Sequence, residues 1–345
     1  MRKNSIHHAH YLQATVLGIA LVLCWSDANT APDEYGCELR TITTSYTRPS
    51  GADLRCPKQI NSLNRSYVLC IPPSLRAQLV ANRNAAPLVL AFHGAGENSS
   101  GESFRGRVQF EIRGRADGFI TAYPNGCRQS DGPPQTLVCD GGNWNAQASP
   151  PDGVAESCKI DDTGFIVQQV IPDVRSHYPV KTDRILAFGH SKGGVFVYSL
   201  ACDRASTFAA IGVTAATKTD ATCTPTNAPA LFHVHNLQDT NVPFFGGGRI
   251  QIWPPVEPGL QFLAGKNGCV LPTEDHDFSA AMCLEGANCQ SRSAELCLLG
   301  TDALDALGDN PTNPNSPHLY RTYDSAFTAN QGISIGDAFL NKFLP

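Results

Sequence analysis

The chain lacks the sequence features of nucleic-acid-binding, membrane-spanning and repeat proteins. Only 17% of its 345 residues are charged, the net charge is −5 and there is no basic block, so nucleic acid is not an expected partner. Beyond the N-terminus no apolar run is long enough to span a bilayer. There is no internal repeat and no low-complexity linker. With 42% hydrophobic residues, the sequence predicts one large globular domain over residues 29–345.

The N-terminus has the pattern of a secretory signal peptide. Two basic residues precede an apolar run, Leu12 to Trp25, that is too short for a membrane span. Small residues at Ser26 and Ala28 favour cleavage after Ala28, so residues 1–28 are predicted to be a signal peptide. A lipoprotein box at Cys24 is disfavoured because leucine stands directly before it. The sequence therefore predicts a secreted, extracellular protein.

The cysteine count supports this interpretation. Of the 13 cysteines, Cys24 falls within the signal peptide, and the even number that remains predicts up to six disulfides. Their pairing cannot be deduced from sequence. Cys283, Cys289 and Cys297 lack the close paired spacing of zinc knuckles, so no metal is expected, and no organic cofactor is implied.

Apolar strand patterns alternate with helical patterns along the chain. This alternation predicts a mostly parallel central sheet with helices on both faces, stapled by disulfides. An edge strand is expected at 65–71, and 129–156 and 269–297 are expected to be irregular. The remaining strands are predicted at 88–92, 118–123, 184–188, 208–216, 231–235 and 295–299, and the helices at 162–178, 195–202, 256–266 and 335–343.

The segment from Arg184 to Cys202 is the most informative part of the chain. A short apolar strand is followed by Gly189-His190-Ser191-Lys192-Gly193, which fits G-x-S-x-G, and then by an apolar helix. Glycines on both sides of the serine avoid β-carbon clashes in a strained turn that projects the hydroxyl above the sheet. The pentapeptide alone is a weak signal among 30 glycines, but this context favours Ser191 as a nucleophile.

A nucleophilic serine needs a histidine base oriented by a carboxylate, in the chain order Ser, acid, His. Asp239 follows the buried strand 231–235 and is the predicted acid, although an aspartate there also suits an Asx-turn. Asp220 is a rival in a polar stretch that does not follow a strand.

The base must be one of the two histidines that follow the predicted acid. His276 lies inside the cysteine-bearing segment, before the last predicted strand. His318 lies between that strand and the closing helix, where the histidine loop of such a fold belongs. The sequence therefore predicts His318 as the base.

Two backbone N–H groups are expected to form the oxyanion hole. One is that of Lys192, directly after the nucleophile, and the other is that of Ala95 in the turn after strand 88–92. His93 in the same turn is interpreted as structural. His233 and His235 are interpreted as core histidines rather than metal ligands.

Taken together, these motifs resemble the secreted feruloyl esterases, acetylxylan esterases and polyhydroxybutyrate depolymerases. The resemblance runs from about Ser66 to the C-terminus, and Leu200-Ala201-Cys202-Asp203 favours the feruloyl esterase branch. The family nucleophile and acid fall on Ser191 and Asp239. Where the family has G-H-x-W around its base, this chain has Pro317-His318-Leu319-Tyr320, so Tyr320 stands in the tryptophan position.

The resemblance implies an α/β-hydrolase that cleaves a carboxylic ester through an acyl-enzyme, with plant cell-wall hydroxycinnamate as the expected ester and neither membrane nor nucleic acid as partner. One alternative is acetylated xylan or a polyhydroxybutyrate with the same triad. Another is a non-catalytic carbohydrate-binding protein on a hydrolase scaffold. Aromatic residues available to line an acyl pocket are Phe244, Phe245, Trp253 and Tyr320.

Overall fold

A computed structural model describes residues 32–82, 84–97, 101–131, 136–147, 151, 153–220, 223–248, 251–272, 282–300, 318 and 320–344. The predicted signal peptide and the rival base His276 lie outside the described residues.

The predicted mostly parallel central sheet with helices is present, although several strands follow one another without a helix between them. The strands are β1 (Cys37–Thr47), β2 (Gln59–Cys70), β3 (Ala86–Phe92), β4 (Ile120–Pro124), β5 (Cys127–Gln129), β6 (Leu137–Asn143), β7 (Val180–His190), β8 (Ala210–Thr214), β9 (Ala230–Asn236), β10 (Met282–Glu285) and β11 (Ala294–Leu299). The helices are α1 (Pro73–Asn82), α2 (Gly101–Val108), α3 (Phe110–Asp117), α4 (Val154–Ser157), α5 (Asp162–Gly164), a π-helical stretch (Phe165–Val170), α6 (Ile171–His177), α7 (Lys192–Asp203), a 3-10 turn (Ala205–Thr207), α8 (Val256–Lys266), α9 (Tyr320–Gln331) and α10 (Ile335–Phe343).

The strands form one sheet in the order β10-β11-β9-β8-β7-β3-β4-β2-β6-β5, with β1 paired to β2. From β11 to β4 every neighbouring pair is parallel, and the outer pairs β10–β11, β4–β2, β2–β1 and β5–β6 are antiparallel. The carboxyl ends of β3, β7 and β9 therefore meet at one edge of the sheet, where α/β folds place their ligand sites.

The central strands are buried on both faces. In β3, Leu88 and Leu90 pack into one core cluster, whereas Val89 and Ala91 pack into the other. The first cluster also contains the apolar faces of the helical run from Asp162 to His177 and of α7 and α8. The second contains those of α2, α3, α9 and α10. Continuous apolar runs in the sequence mark such doubly covered parallel strands.

Three local predictions were wrong. The segment 269–297, expected to be irregular, contains β10, which pairs antiparallel with β11. The strand predicted at the edge, β2, is flanked by β1, β4 and β6. Its alternating sequence reflects a half-exposed N-terminal part, while residues from Tyr67 to Cys70 are buried. The segment 129–156, expected to be a loop, contains β6 and the start of α4. Both elements were missed because the segment is rich in glycine and polar residues. The strand β6, for example, has the sequence L-V-C-D-G-G-N rather than an apolar run.

All twelve cysteines after Cys24 are paired in disulfides. Four bridges close short separations of 12 to 21 residues, and Cys56–Cys158 closes 102 residues. The latter belongs to a small apolar cluster that joins the β1–β2 hairpin to α4. The six pairs are Cys37–Cys70, Cys56–Cys158, Cys127–Cys139, Cys202–Cys223, Cys269–Cys289 and Cys283–Cys297.

Candidate active site

Ser191 lies in a strained turn between β7 and α7. Its φ of 53° and ψ of −125° are unusual for a residue other than glycine. A β-carbon on Gly189 would lie 2.4 Å from the carbonyl oxygen of Gly193, and one on Gly193 would lie 2.2 Å from that of Phe92. Both glycines are therefore required for the close approach of α7 to β7 and β3. The Ser191 N–H donates to the Thr214 carbonyl oxygen at 2.9 Å, which anchors the turn to β8.

The structure brings the three predicted triad residues into one hydrogen-bonded chain. The Ser191 hydroxyl donates to Nε2 of His318 at 2.7 Å, and Nδ1–H of His318 donates to Oδ2 of Asp239 at 2.7 Å. The Asp239 side chain is fully buried, and that of His318 is 12% exposed. The rival acid Asp220 lies after β8, where its backbone carbonyl accepts from Lys218.

The Asp239 carboxylate is held by four donors. Besides His318, Oδ2 accepts from the hydroxyl of buried Tyr323 at 2.8 Å. Oδ1 accepts from the backbone N–H groups of Asn241 and Val242, both at 2.9 Å, so the Asx-turn is also present. Burial alone raises the pKa of this carboxyl, but the hydrogen bond and charge of His318 and the backbone donor at Val242 hold that pKa below its usual value. Asp239 is therefore ionised at neutral pH and fixes the imidazole by its Nδ1–H.

Tyr323 was not found from the sequence. It lies five residues after His318 on α9, and its hydroxyl meets Asp239 because α9 packs across the ends of β9 and β11. The sole sequence signal is an aromatic residue one helical turn after Tyr320. Both tyrosines belong to the same core cluster.

Two buried histidines near the triad, His93 and His190, have structural contacts of their own. In the turn after β3, Nδ1–H of His93 donates to the Gly94 carbonyl at 2.8 Å, and Nε2 accepts from the Gly126 N–H at 3.1 Å. Burial lowers the pKa of His93 to about 4. His190 packs against the His318 ring, with 5.5 Å between centroids, and burial likewise lowers its pKa. Neither ring is hydrogen bonded to Ser191.

His233 and His235 form a buried hydrogen-bonded chain, as expected of core histidines. The Tyr198 hydroxyl and Nδ1 of His233 are 2.6 Å apart, His233 Nε2 and His235 Nδ1 are 3.0 Å apart, and His235 Nε2–H donates to the Val242 carbonyl at 2.8 Å. Every ring nitrogen of His233 and His235 has a hydrogen-bond partner, so the pair is not arranged as a metal site. Burial lowers the pKa of both rings.

The two predicted oxyanion residues come from neighbouring elements. Ala95 lines the same cavity as Ser191 and His318, and Lys192 begins α7 immediately after Ser191. The loop that carries Ala95 is fixed by Trp144, whose indole N–H donates to the His93 carbonyl at 2.9 Å. The Lys192 side chain turns away into the core.

That side chain forms a buried ion pair. Its Nζ lies 2.7 Å from Oε1 of Glu156, and both side chains are at most 2% exposed. Glu156 belongs to α4, which is tied to the N-terminal hairpin through Cys56–Cys158. The ion pair therefore anchors the first residue of α7 to a disulfide-bonded segment.

A cavity of about 380 Å³ opens at the triad. Of the four aromatic residues available for a pocket, Trp253 lines it. Phe244 and Tyr320 are core residues, and Phe245 is 68% exposed without lining the cavity. Tyr320 packs on Phe104, Phe188 and His190, so it does not form the acyl pocket wall. The lining residues are Gly94, Ala95, Glu97, Arg107, His190, Ser191, Asn241, Val242, Gln251, Trp253 and His318.

In the part of the chain that the structure describes, one cluster has the composition of a metal site. It consists of Cys283, Glu295 and Cys297, but the two cysteines are bonded to each other as a disulfide and offer no thiolate. Among the described helices, none has both the length and the apolar character needed to cross a bilayer.

The sheet order, the strained turn at Ser191 and the position of Asp239 after β9 define an α/β-hydrolase fold. A solved structure of a thermostable esterase shares it with a TM-score of 0.51 and 16% identity, covering 88% of this chain and 62% of that chain.

Among curated proteins, the chain is 30% identical over 216 residues to a probable feruloyl esterase C of Aspergillus niger. The match covers 61% of this chain and spans 64% of the length of that relative. The acetyl xylan esterase from Aspergillus awamori matches with a TM-score of 0.47 and 14% identity over 75% of this chain and 92% of that chain. No protein-family profile matches. The identity with the probable feruloyl esterase C, together with the fold shared with the thermostable esterase, confirms the resemblance to esterases of this fold that the motifs indicated.

Proposed function

We propose that this protein is a secreted serine carboxylic-ester hydrolase. The observation that carries the proposal is the unbroken chain from Asp239 through His318 to the Ser191 hydroxyl, with 2.7 Å at each link. A hydroxyl that donates to a neutral imidazole, itself oriented by a buried carboxylate, is prepared for nucleophilic attack.

In the proposed reaction, the Ser191 oxygen attacks the ester carbonyl while its proton passes to Nε2 of His318. The developing oxyanion is stabilised by the N–H groups of Ala95 and Lys192, and the imidazolium by Asp239. His318 then protonates the departing alcohol oxygen, which leaves an acyl-enzyme. Water, deprotonated by the same imidazole, releases the acid and restores Ser191.

The acyl group that we propose is a hydroxycinnamoyl group carried by plant cell-wall polysaccharide. The cavity size lies within the usual range for small-molecule sites, and Trp253 with Val242 supplies an apolar wall for an aromatic acyl group. The similarity to the probable feruloyl esterase C points in the same direction. Six disulfides suit an oxidising, extracellular location.

Substitution of the proposed nucleophile and base tests the chemistry. Ser191→Ala should lower kcat by on the order of 10⁶, and His318→Ala should be nearly as damaging because triad members act together. His276→Ala is the matched control and should keep most activity. Labelling by a fluorophosphonate should require Ser191. A folded Ser191→Ala enzyme with normal turnover, or loss at His276 instead of His318, would contradict the assignment.

A second comparison tests the acyl group. kcat/KM for methyl ferulate should exceed that for methyl acetate, because an acetyl group buries little area against Trp253. A tenfold preference for the acetyl ester would replace the feruloyl assignment by an acetyl esterase while leaving the serine mechanism in place.

A further inference from the structure

The catalytic cavity carries an ion pair that the proposed mechanism does not use. Nη2 of Arg107 lies 2.7 Å from Oε1 of Glu97, and both residues line the cavity with Ser191 and His318. The Glu97 side chain is 12% exposed and that of Arg107 is 30% exposed. The pair is therefore partly shielded but reachable from the cavity.

The ion pair lies close to the nucleophile. A β-carbon on Gly94 would be 3.4 Å from Oε1 of Glu97 and 3.4 Å from Cβ of Ser191. The Glu97 carboxylate oxygen and the Ser191 Cβ are therefore at most about 7 Å apart, twice that distance. This is within the length of one sugar ring attached to the scissile ester.

Glu97 is held in place by its backbone. Its carbonyl accepts from the Gly142 N–H at 3.2 Å, and the Gly142 carbonyl accepts from the Gly96 N–H at 2.9 Å. These bonds join the loop after β3 to the end of β6. The backbone at Glu97 is therefore fixed beside the cavity that this residue lines.

The sheet order places charged and apolar residues on different sides of Ser191. Glu97 and Arg107 follow β3, whereas Val242 and Trp253 follow β9, and β7, which carries the serine, lies between these strands. Trp253 is fixed by paired backbone hydrogen bonds with Gly247, at 2.7 and 3.0 Å. An ester bound at Ser191 therefore meets an apolar side and a charged side.

The chemistry of the charged side suits hydroxyl groups. A carboxylate has about four acceptor positions and a guanidinium has five donors, so such a pair is able to bond to hydroxyl groups. Hydroxyls that both donate and accept can bridge such a pair, whereas an aromatic ring placed there would leave the desolvated carboxylate without a hydrogen-bond donor.

We infer that the Glu97–Arg107 pair is the subsite for the alcohol portion of the ester and that it binds the hydroxyl groups of a sugar. This inference rests on the proposed function. It assigns the aromatic acyl group to the Trp253 side and the carbohydrate to the Glu97–Arg107 side.

The test is a selectivity ratio. kcat/KM is measured for a feruloyl ester of a pentose and for methyl ferulate, which has the same acyl group but no sugar. In Arg107→Met and in Glu97→Gln, the ratio of pentose ester to methyl ester should fall at least tenfold. Arg107→Lys keeps the charge but loses the planar fork of the guanidinium. Its ratio should lie between those of these variants and that of the parent enzyme.

Arg113→Met is the matched control. Its side chain is also 30% exposed and pairs with Asp117 at 2.6 Å, but it lies at the opposite edge of the sheet, beside the start of β3. The ratio should be unchanged in this variant. The same comparison with an acetylated pentose and methyl acetate keeps the test valid if the acyl assignment is wrong.

The possible outcomes are distinct. An unchanged ratio in both variants, or equal losses on the two esters, would overturn the subsite. A loss confined to methyl ferulate relative to methyl cinnamate would place the ion pair on the acyl side and would also overturn it. If the parent enzyme hydrolyses none of the four sugar and methyl esters, the proposed function fails and the inference fails with it.

Discussion

Tyr323 offers the sharpest test of how the proposed acid is held. Its hydroxyl and Nδ1–H of His318 donate to the same oxygen of Asp239, at 2.8 and 2.7 Å, in a region where both Tyr323 and the acid are buried. Tyr323→Phe removes one of these donors and little volume. A hydrogen bond to a charged acceptor contributes about 1.5–3 kcal/mol, so folding stability should fall by an amount of that order.

The effect on catalysis should have a definite sign with pH. The pKa of the Asp239 carboxyl is held below its usual value partly by hydrogen bonds to its charged form, so losing one donor should raise that pKa, and the active carboxylate is then lost at a higher pH. The acidic limb of kcat/KM should therefore move upward, by up to about one pH unit, because 1.36 kcal/mol corresponds to one unit. Above that limb kcat/KM should fall about tenfold, because the carboxylate keeps three of its four donors and orients the imidazole less firmly. The neighbouring histidines are buried and have lowered pKa values, so His190 and His235 remain uncharged in this range.

Tyr320→Phe is the matched control. Tyr320 lies one turn earlier on α9, is equally buried and packs its ring against Phe188 and His190. It should change neither the position of the acidic limb nor kcat/KM by more than about twofold. An identical shift in both variants, or a parental pH profile in Tyr323→Phe, would refute the assignment of Tyr323 as a positioning residue.

Three further expectations follow from the structure. Gly193→Ala places a β-carbon 2.2 Å from the last carbonyl oxygen of β3 and should abolish fluorophosphonate labelling. Gly265→Ala, which has open space around its β-carbon, should label normally. Equal labelling of the two variants would contradict the steric argument. Folding stability should decline as pH falls from about 6.5 to 4. Over this range imidazoles take up protons in the unfolded chain, whereas in the folded protein buried imidazoles such as His93, with a pKa of about 4, stay neutral. A constant urea midpoint over this range would contradict this expectation. Replacing the Cys56–Cys158 bridge by two serines should lower the free energy of unfolding by about 4.7 kcal/mol, the value that the chain-entropy model gives for a loop of about 100 residues. Urea unfolding measures this loss. A loss below about 1 kcal/mol would show that the bridge does not constrain the unfolded chain.

Much of the fold was predictable because its signals are local. The apolar runs of β3 and β7 report burial on both faces, and the glycines around Ser191 report a backbone approach that side chains would block. The helices at 256–266 and 335–343 begin and end where their patterns predicted. The interior position of β2 was missed because its partners β1, β4 and β6 are set by pairings distant in sequence.

The sequence by itself determined the type of turn that presents Ser191 and the chain order in which an acid and a base should follow. It also determined that the cysteines after Cys24 are even in number, without their partners. Only the tertiary structure brought His318 to within hydrogen-bonding distance of Ser191 across 127 positions, added the Tyr323 hydroxyl to Asp239, and placed the Glu97–Arg107 pair in the cavity. The physical reason is that backbone conformation responds to neighbours along the chain, whereas hydrogen bonds between side chains depend on which strands and helices pack together.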